Sequence, residues 1–408
     1  MSIAKPNEFS NTRKCKDGII PEYLRFTEEH EAPVDFHLWT CIGVLASALG
    51  RDIWFPRGNW VLYPNLYVIL VAESALARKS TSLQFGIDIL KDAFAEDKKI
   101  NLLSQKLSPE YFIHSLAALY EEQKRSEATI HASELSVLLG KTRLDDSFVK
   151  ILTDLYDSPN FWTYGTIARG QDVCNKVCLN ILGGSTPEWL RSSLPEETLG
   201  GGFFSRLIMV NREPTGKRNP NPEDMFNLET QTAKNNIVHD LKIVKTLEGA
   251  YQWSRRAKDL WTNWYMDYGI PDRAPKFMRG YYGRKGDILI KLSMIMAASR
   301  QNSPIIEEED FMFSNEILRS NEDYIVALAK QMDTSKEGQK IERVRKLIER
   351  HSPIAHSKLM QSISHQINAD ELEGVLQTLL TGGEIKSDTI GPRGKRVYFY
   401  VEEADREN

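Results

Sequence analysis

One stretch limits what this chain can fold into more than any other: residues 66–90, LYVILVAESALARKSTSLQFGIDIL. Tyr67, Val68, Ile69, Leu70 and Val71 form an unbroken apolar run that reads as a buried strand, and Leu83, Ile87 and Leu90 then recur at helical spacing. The spacing predicts strand, loop, helix, with Lys79-Ser80-Thr81 at the helix start. A phosphate-binding loop has this architecture. The helix N-terminus offers free N–H groups and a positive dipole end, the lysine reaches the β- and γ-phosphates, and the next hydroxyl binds Mg²⁺. The candidate nucleotide-binding residues are therefore Glu73, Ser74, Ala75, Leu76, Ala77, Arg78, Lys79, Ser80 and Thr81, with Ser80 as the Mg²⁺ ligand and ATP with Mg²⁺ as the implied ligands.

The loop departs from the full pattern. G-x-x-x-x-G-K-[ST] places glycines at 73 and 78, where this chain has Glu73 and Arg78, and no glycine lies between Asn65 and Gly86. Glycines in such loops permit positive φ and close approach of backbone to phosphate. Ala75 and Ala77 leave room without relieving φ, and Glu73 brings a like charge toward a phosphate. On pattern alone, an ordinary strand–helix junction with a polar helix start competes with the phosphate loop.

Composition narrows the class. With 408 residues, 41% hydrophobic and 26% charged, the chain has the make-up of a globular protein of two or three domains. A net charge of −4 means that any contact with DNA uses local basic patches. No apolar run is long enough for a membrane span, and the start, MSIAKPNEFSNTRKCKDG, is too polar for a signal peptide, so the expectation is a cytoplasmic protein without membrane contact. Cys15, Cys41, Cys174 and Cys178 lack metal-site spacing and read as reduced thiols.

Further along, residues 21–50 carry helical periodicity ending at Gly50, and RDIWFPRGNWVLYPN reads as a hairpin leading into the first strand. Ser108-Pro109-Glu110 opens a helix. ATIHASELSVLL is a strand ending in Ser133-Glu134, and Glu134 stands where a P-loop ATPase keeps the carboxylate that polarises the attacking water. VCLNILGG (177–184) is another strand. It runs into Ser185 and Thr186, candidates for sensing the γ-phosphate, although Thr186 before Pro187 also suits a helix cap. Arg206, after a triple glycine and before the strand RLIMV, is a candidate arginine finger for a neighbouring subunit's site, against a surface salt bridge as the plain alternative. Residues 236–332 look helical. Their tryptophans (253, 261, 264) sit at helical spacing and suit a core better than a base-stacking platform, and Arg284 and Lys285 are weak candidates for phosphate contact.

DTSKEGQK (333–340) reads as a linker. Beyond it come three short helices and a hairpin with a basic tip, the layout of a winged helix-turn-helix. Arg393, Lys395 and Arg396 on the wing are candidates for nucleic-acid phosphates. The third helix carries Asp370, Glu371 and Glu373, so docking to a protein is the rival use. His351, His356 and His365 are scattered singly.

The runs NLYVILVAES…ARKSTS, ASELSVLL, LYDSPNFW, NILGGSTPEWL and GGGFFSRLIMV together resemble a family of phage, prophage and plasmid ATPases described as primase/helicase-type replication proteins. The resemblance covers about residues 20–330, and the Arg78-Lys79 pair matches that family's degenerate P-loop. It implies a RecA-like P-loop NTPase core, an α/β fold, with Lys79 and Ser80 on phosphate and Mg²⁺, Glu134 catalytic and Arg206 as finger. The expected organisation is an N-terminal arm and helical region (1–50), the RecA-like core (51–215), a helical extension (216–332), the linker (333–340) and a C-terminal winged helix (341–408). The expected activity is ATP-dependent DNA unwinding or remodelling in replication of a mobile element. Single-stranded or forked DNA, copies of the chain in a homo-oligomer such as a hexameric ring, and a primase or helicase are the expected partners. The alternatives are a weak or inactive P-loop protein acting as a loader or scaffold, and an origin or operator DNA binder.

Overall fold

The apolar run after Leu66 forms a strand buried at every position, as a strand covered on both faces must be. The structure is a computed structural model. It describes residues 12–94, 100–104, 107–140, 146–166, 170–193, 202–271, 274, 276–333, 336–363, 367–390 and 394–401. The chain forms two compact units, Met1–Leu328 and Ala329–Asn408.

In the first unit, helices α1 (Ile19–Phe26) and α2 (Val34–Leu49) precede a hairpin of β1 (Ile53–Arg57) and β2 (Trp60–Leu62). The periodicity of 21–50 thus spans two helices. Gly50 closes α2, its N–H bonded to the Ala46 carbonyl. Then come β3 (Tyr67–Val71), α3 (Lys79–Phe94), β4 (Leu102–Ser104), α4 (Pro109–Gln123, capped by Ser108), β5 (Glu127–Ala132), α5 (Leu135–Leu139) and α6 (Asp146–Tyr156). The aromatic segment after α6 is an antiparallel hairpin of β6 (Phe161–Thr166) and β7 (Gly170–Asn175). β8 (Cys178–Ser185), α7 (Pro187–Ser193) and β9 (Leu207–Asn211) follow.

Five strands form an all-parallel sheet in the order β4-β5-β8-β3-β9. Alternation along the strands separates the two faces. Leu182 of β8 points at α2, where a Cβ on Gly43 would lie 2.2 Å from its Cδ2. Tyr67, in register with the oppositely directed Ile181, sends its hydroxyl to the Leu152 carbonyl of α6. The unit is therefore a three-layer α/β sandwich. Gly86 sets the spacing of α3 on α2, because a Cβ there would stand 2.5 Å from Thr40 Cγ2 and 2.9 Å from Val44 Cγ2. This is a mixed α/β architecture around a parallel sheet, consistent with a P-loop NTPase-like fold.

After β9 the chain is mostly helical: Leu228–Val244, Arg255–Asp267, Lys276–Arg300 and Glu308–Asp333, with the two-residue strands β10 (Gly249–Ala250), β11 (Gln252–Trp253) and β12 (Ile305–Ile306). Trp261 is buried and stacks on Trp253 and Trp264, as packing rather than as a platform. Lys285, read as a phosphate contact, is buried against Glu322, and Arg284 faces Asp157. Among the described residues no helix is long and apolar enough to cross a membrane.

The second unit contains the helices Lys336–His351, His356–Ile363 and Ala369–Thr381 and a three-stranded antiparallel sheet. The sheet comprises β13 (Ile354–Ala355), β14 (Ile385–Ile390) and β15 (Lys395–Tyr400), in the order β13-β15-β14. Its core gathers Val344, Ile348, Leu359, Leu372, Leu376 and Tyr398. Asn368 caps the third helix in a capping box with Glu371. Lys336–Lys340, expected in a linker, are instead the first turn of a helix whose apolar stripe belongs to this core.

Candidate nucleotide site

Connections leave β3 and β8 in opposite directions. From β3 the chain passes through α3 to the far edge at β4, and from β8 it passes through α7 to β9 at the other edge. In open parallel sheets the crevice at such a switch point, outside the carboxyl ends, is where ligands bind. Here that crevice is bordered by residues 72–81 after β3, Ser133-Glu134 after β5 and Ser185-Thr186 at the end of β8. The loop is anchored on both sides: Ala72 N–H donates to the Ser185 carbonyl (3.3 Å) and Arg212 N–H to the Val71 carbonyl (3.3 Å).

The loop takes left-handed backbone without glycine. Ala75 has φ 64° and Arg78 φ 52°, the latter at the position of the pattern's second glycine. L-residues pay about 1–2 kcal/mol for that conformation, so the surrounding structure must impose it. Ser82 N–H bonds to the Arg78 carbonyl (3.0 Å), so Arg78 opens α3 and the N–H groups of Lys79, Ser80 and Thr81 remain free for an anion. Residues 73–76 are exposed, whereas Ala77 is buried.

Lys79 is buried, and its Nζ donates to the carbonyls of Ala72 (2.7 Å) and Glu73 (3.1 Å). Burial lowers its pKa and the nearby Glu134 carboxylate opposes that shift, which places the two charges in one field. Glu134 occupies the cap position of α5, but its side chain caps nothing. Gly184 allows this closeness of β8 to β5, since a Cβ there would meet the Ser133 carbonyl at 2.7 Å. Thr186 and Ser185 divide their two candidate roles. Thr186 Oγ1 accepts from Trp189 N–H (3.2 Å) as the cap of α7, while Ser185 is 1% exposed and its Oγ has no partner. A buried hydroxyl without a partner is costly, and this one lies at the crevice end of β8.

Ser80 and Thr81 are exposed at the second and third positions of α3. A serine hydroxyl, phosphate oxygens and water are a sufficient shell for Mg²⁺, so the residues present fit a Mg²⁺–nucleotide. Among the described residues, no group of three or more His, Cys, Asp or Glu gathers to hold a metal alone.

Arg206 is not part of this cluster. It precedes β9, at the opposite end of the sheet. Its side chain is 7% exposed, bonded to Asp157 (2.6 Å) and to the Gly202 carbonyl (2.7 Å). A finger must reach out of its own subunit, so the expected role is corrected here to a buried structural arginine. In the second unit, Arg396 pairs with Glu373 of the third helix (2.7 Å). Arg393 and His365 lie outside the described residues, as does the side chain of Lys395.

Sequence reasoning missed a line of histidines behind the loop. Ser82 Oγ stands 3.2 Å from His37 Nδ1, and His37 Nε2 stands 2.9 Å from His30 Nδ1. Only the placement of Ser82 three residues after Lys79 hinted at it.

No protein-family profile matches the chain, and no curated protein matches it. Among solved structures, a full-length MCM homologue from Methanopyrus kandleri is similar with a TM-score of 0.42 and 11% identity, over 74% of this chain and 59% of that one. The chain thus spans less than two thirds of that structure's length, and at this score the likeness carries no weight for the site.

Proposed function

We propose that the chain is an ATPase that remodels or unwinds DNA in the replication of a mobile element. In this reading a RecA-like core (51–215) works as a homo-oligomer, and the second unit is a winged helix that contacts DNA or a primase or helicase partner. The convergence of Lys79, Glu134 and the orphaned Ser185 hydroxyl at the switch point carries the proposal. The sequence resemblance to phage, prophage and plasmid replication ATPases supports its context.

In use, Lys79 exchanges two loop carbonyls for the β- and γ-phosphates, and the N–H groups at 79–81 hold the phosphate chain. Ser80 would hold Mg²⁺, which when bound would neutralise phosphate charge. Glu134 accepts a proton from the attacking water, and Ser185 donates to the γ-phosphate. Such groups act by position more than by covalent chemistry.

ATP hydrolysis with and without single-stranded DNA tests this, in the parent, Lys79→Ala and Glu134→Gln. DNA-stimulated turnover lost in both folded variants supports a motor. A second reading, a loader or scaffold without turnover, is favoured by the glycine-free loop and by Ser133 where the first acidic residue of such a strand end is usual. Absence of turnover and of ATP-dependent thermal stabilisation in the parent selects it.

A further inference from the structure

Behind the phosphate loop lies a cavity of about 470 Å³, lined among others by Leu24, His30, Ala32, Val34, Thr215 and Lys217. Its walls are the turn between α1 and α2 and the segment that follows β9. They are stitched to each other and to the loop. Glu31 accepts from Arg78 Nε (2.7 Å) and from Asn219 N–H (3.0 Å), Thr215 Oγ1 donates to the Glu31 carbonyl (3.1 Å), and Lys217 donates to the Glu28 carbonyl. One wall is thus ion-paired to the residue immediately before Lys79.

The hydrogen bonds of the histidine line assign its tautomers. Ala32 N–H can only donate, and it points at His30 Nδ1 (3.2 Å), so that nitrogen accepts. His37 Nε2, also facing His30 Nδ1, must then carry the hydrogen, His37 Nδ1 accepts, and the Ser82 hydroxyl donates to it. What remains is His30 Nε2–H, a donor without a protein partner among the described residues, on a half-buried ring. Burial lowers the pKa of both histidines, His37 to about 3, so both rings are neutral near pH 7.

We propose that this cavity seats the purine base and ribose of the nucleotide whose phosphates the 72–81 loop holds; the proposal rests on that phosphate-loop reading. Volume, position and chemistry agree. Small-ligand pockets run from about 300 to 1,000 Å³, apolar with few polar groups. Arg78, the residue before Lys79, pairs with Glu31, which adjoins His30 and Ala32 of the lining, so the phosphate loop and the cavity are next to each other. Leu24, Ala32 and Val34 offer apolar contact to a ring, with Val34 61% exposed at the rim. The free His30 N–H suits a ring nitrogen acceptor of a purine.

Calorimetric titration with Mg²⁺–ATP and with Mg²⁺–tripolyphosphate separates base from phosphate. The parent is expected to bind ATP at least about 10-fold more tightly than tripolyphosphate, a difference of about 1.4 kcal/mol. Val34→Trp, at an exposed position, and His30→Phe, which keeps a ring without the donor, should each erase most of that preference. Tripolyphosphate affinity should stay the same in both, whereas Lys79→Ala should weaken both ligands. Tripolyphosphate binding with no preference for ATP, or a preference that survives both variants, overturns the base seat and leaves the phosphate loop standing. A parent that binds neither ligand overturns both.

Discussion

At the N-terminal end of the five-stranded sheet, three buried cations each hold the backbone or side chains at the start of a strand. Lys291 Nζ donates to Asn65 Oδ1 (2.9 Å) before β3, Arg51 to the Val177 carbonyl (2.9 Å) before β8, and Arg206 pairs with Asp157 before β9. At the C-terminal end Lys79 donates to two loop carbonyls, the loop is left-handed at Ala75 and Arg78, and among the described residues the Ser185 hydroxyl has no partner. Both ends carry a buried cation. The difference lies in what holds them: the first three are bonded to carbonyls and side chains of other elements, whereas Lys79 is held by its own strained loop beside an orphaned hydroxyl and is free to change partners.

Exchanging the two kinds of cation for alanine tests this most strongly. Lys79→Ala should weaken Mg²⁺–ATP binding by about 100-fold or more while the urea midpoint stays near the parent's. Arg206→Ala should do the reverse, costing about 1–2 kcal/mol of stability through lost packing and an unpaired Gly202 carbonyl, because the half-exposed Asp157 keeps Arg284, with ATP affinity intact in the folded fraction. An Arg206→Ala protein of parental stability that has lost turnover would restore the finger and break the comparison.

The histidine line gives the next effect. The folded pKa of His37, pushed down to about 3 by burial and by His30 and Lys217, lies below its unfolded value. Its contribution is therefore present above about pH 6.5 and lost as pH falls toward 3, at about 1.4 kcal/mol per pH unit. His30 and His131, also lowered, add to the same slope. Urea unfolding between pH 6.5 and 5 should show it, and His37→Gln should flatten it.

Ser185→Ala sharpens the contrast at the orphaned hydroxyl. Stability should hold or rise by up to about 1–2 kcal/mol, because an unpaired buried group disappears, while turnover slows about 10-fold. Arg78→Gly should change least. Relief of left-handed backbone offsets the loss of the half-exposed pair with Glu31, so stability should move by no more than about 1 kcal/mol in denaturant titration.

How far the sequence reaches varies from element to element. β3 and α3 are legible because five apolar residues in a row and a 3.6-residue stripe have few other folds available. β4 was not, since a three-residue strand has too short a period to read, and the β6–β7 hairpin hid inside an aromatic run. For the site, the order of residues along the chain singled out Lys79, Glu134 and Ser185 by their positions at strand ends and a helix start. It also selected Arg206, from a triple glycine before a strand start, and only the assembled sheet shows that start lying at the end away from the crevice.

Local chemistry alone therefore determined the strand–loop–helix, the caps at Ser108 and Asn368 and the apolar stripes, each set by neighbours within a few residues. The tertiary structure decided what depends on distant partners. The strand order puts the ends of β3, β5 and β8 at one crevice, closure of the loop between β3 and α3 holds Ala75 and Arg78 in a conformation their side chains disfavour, and a contact spanning 45 residues joins Ser82 to His37. The reason is physical. Periodicity and capping are short-range energies written in adjacent residues, whereas burial, strain and hydrogen-bond satisfaction exist only once the chain has closed on itself.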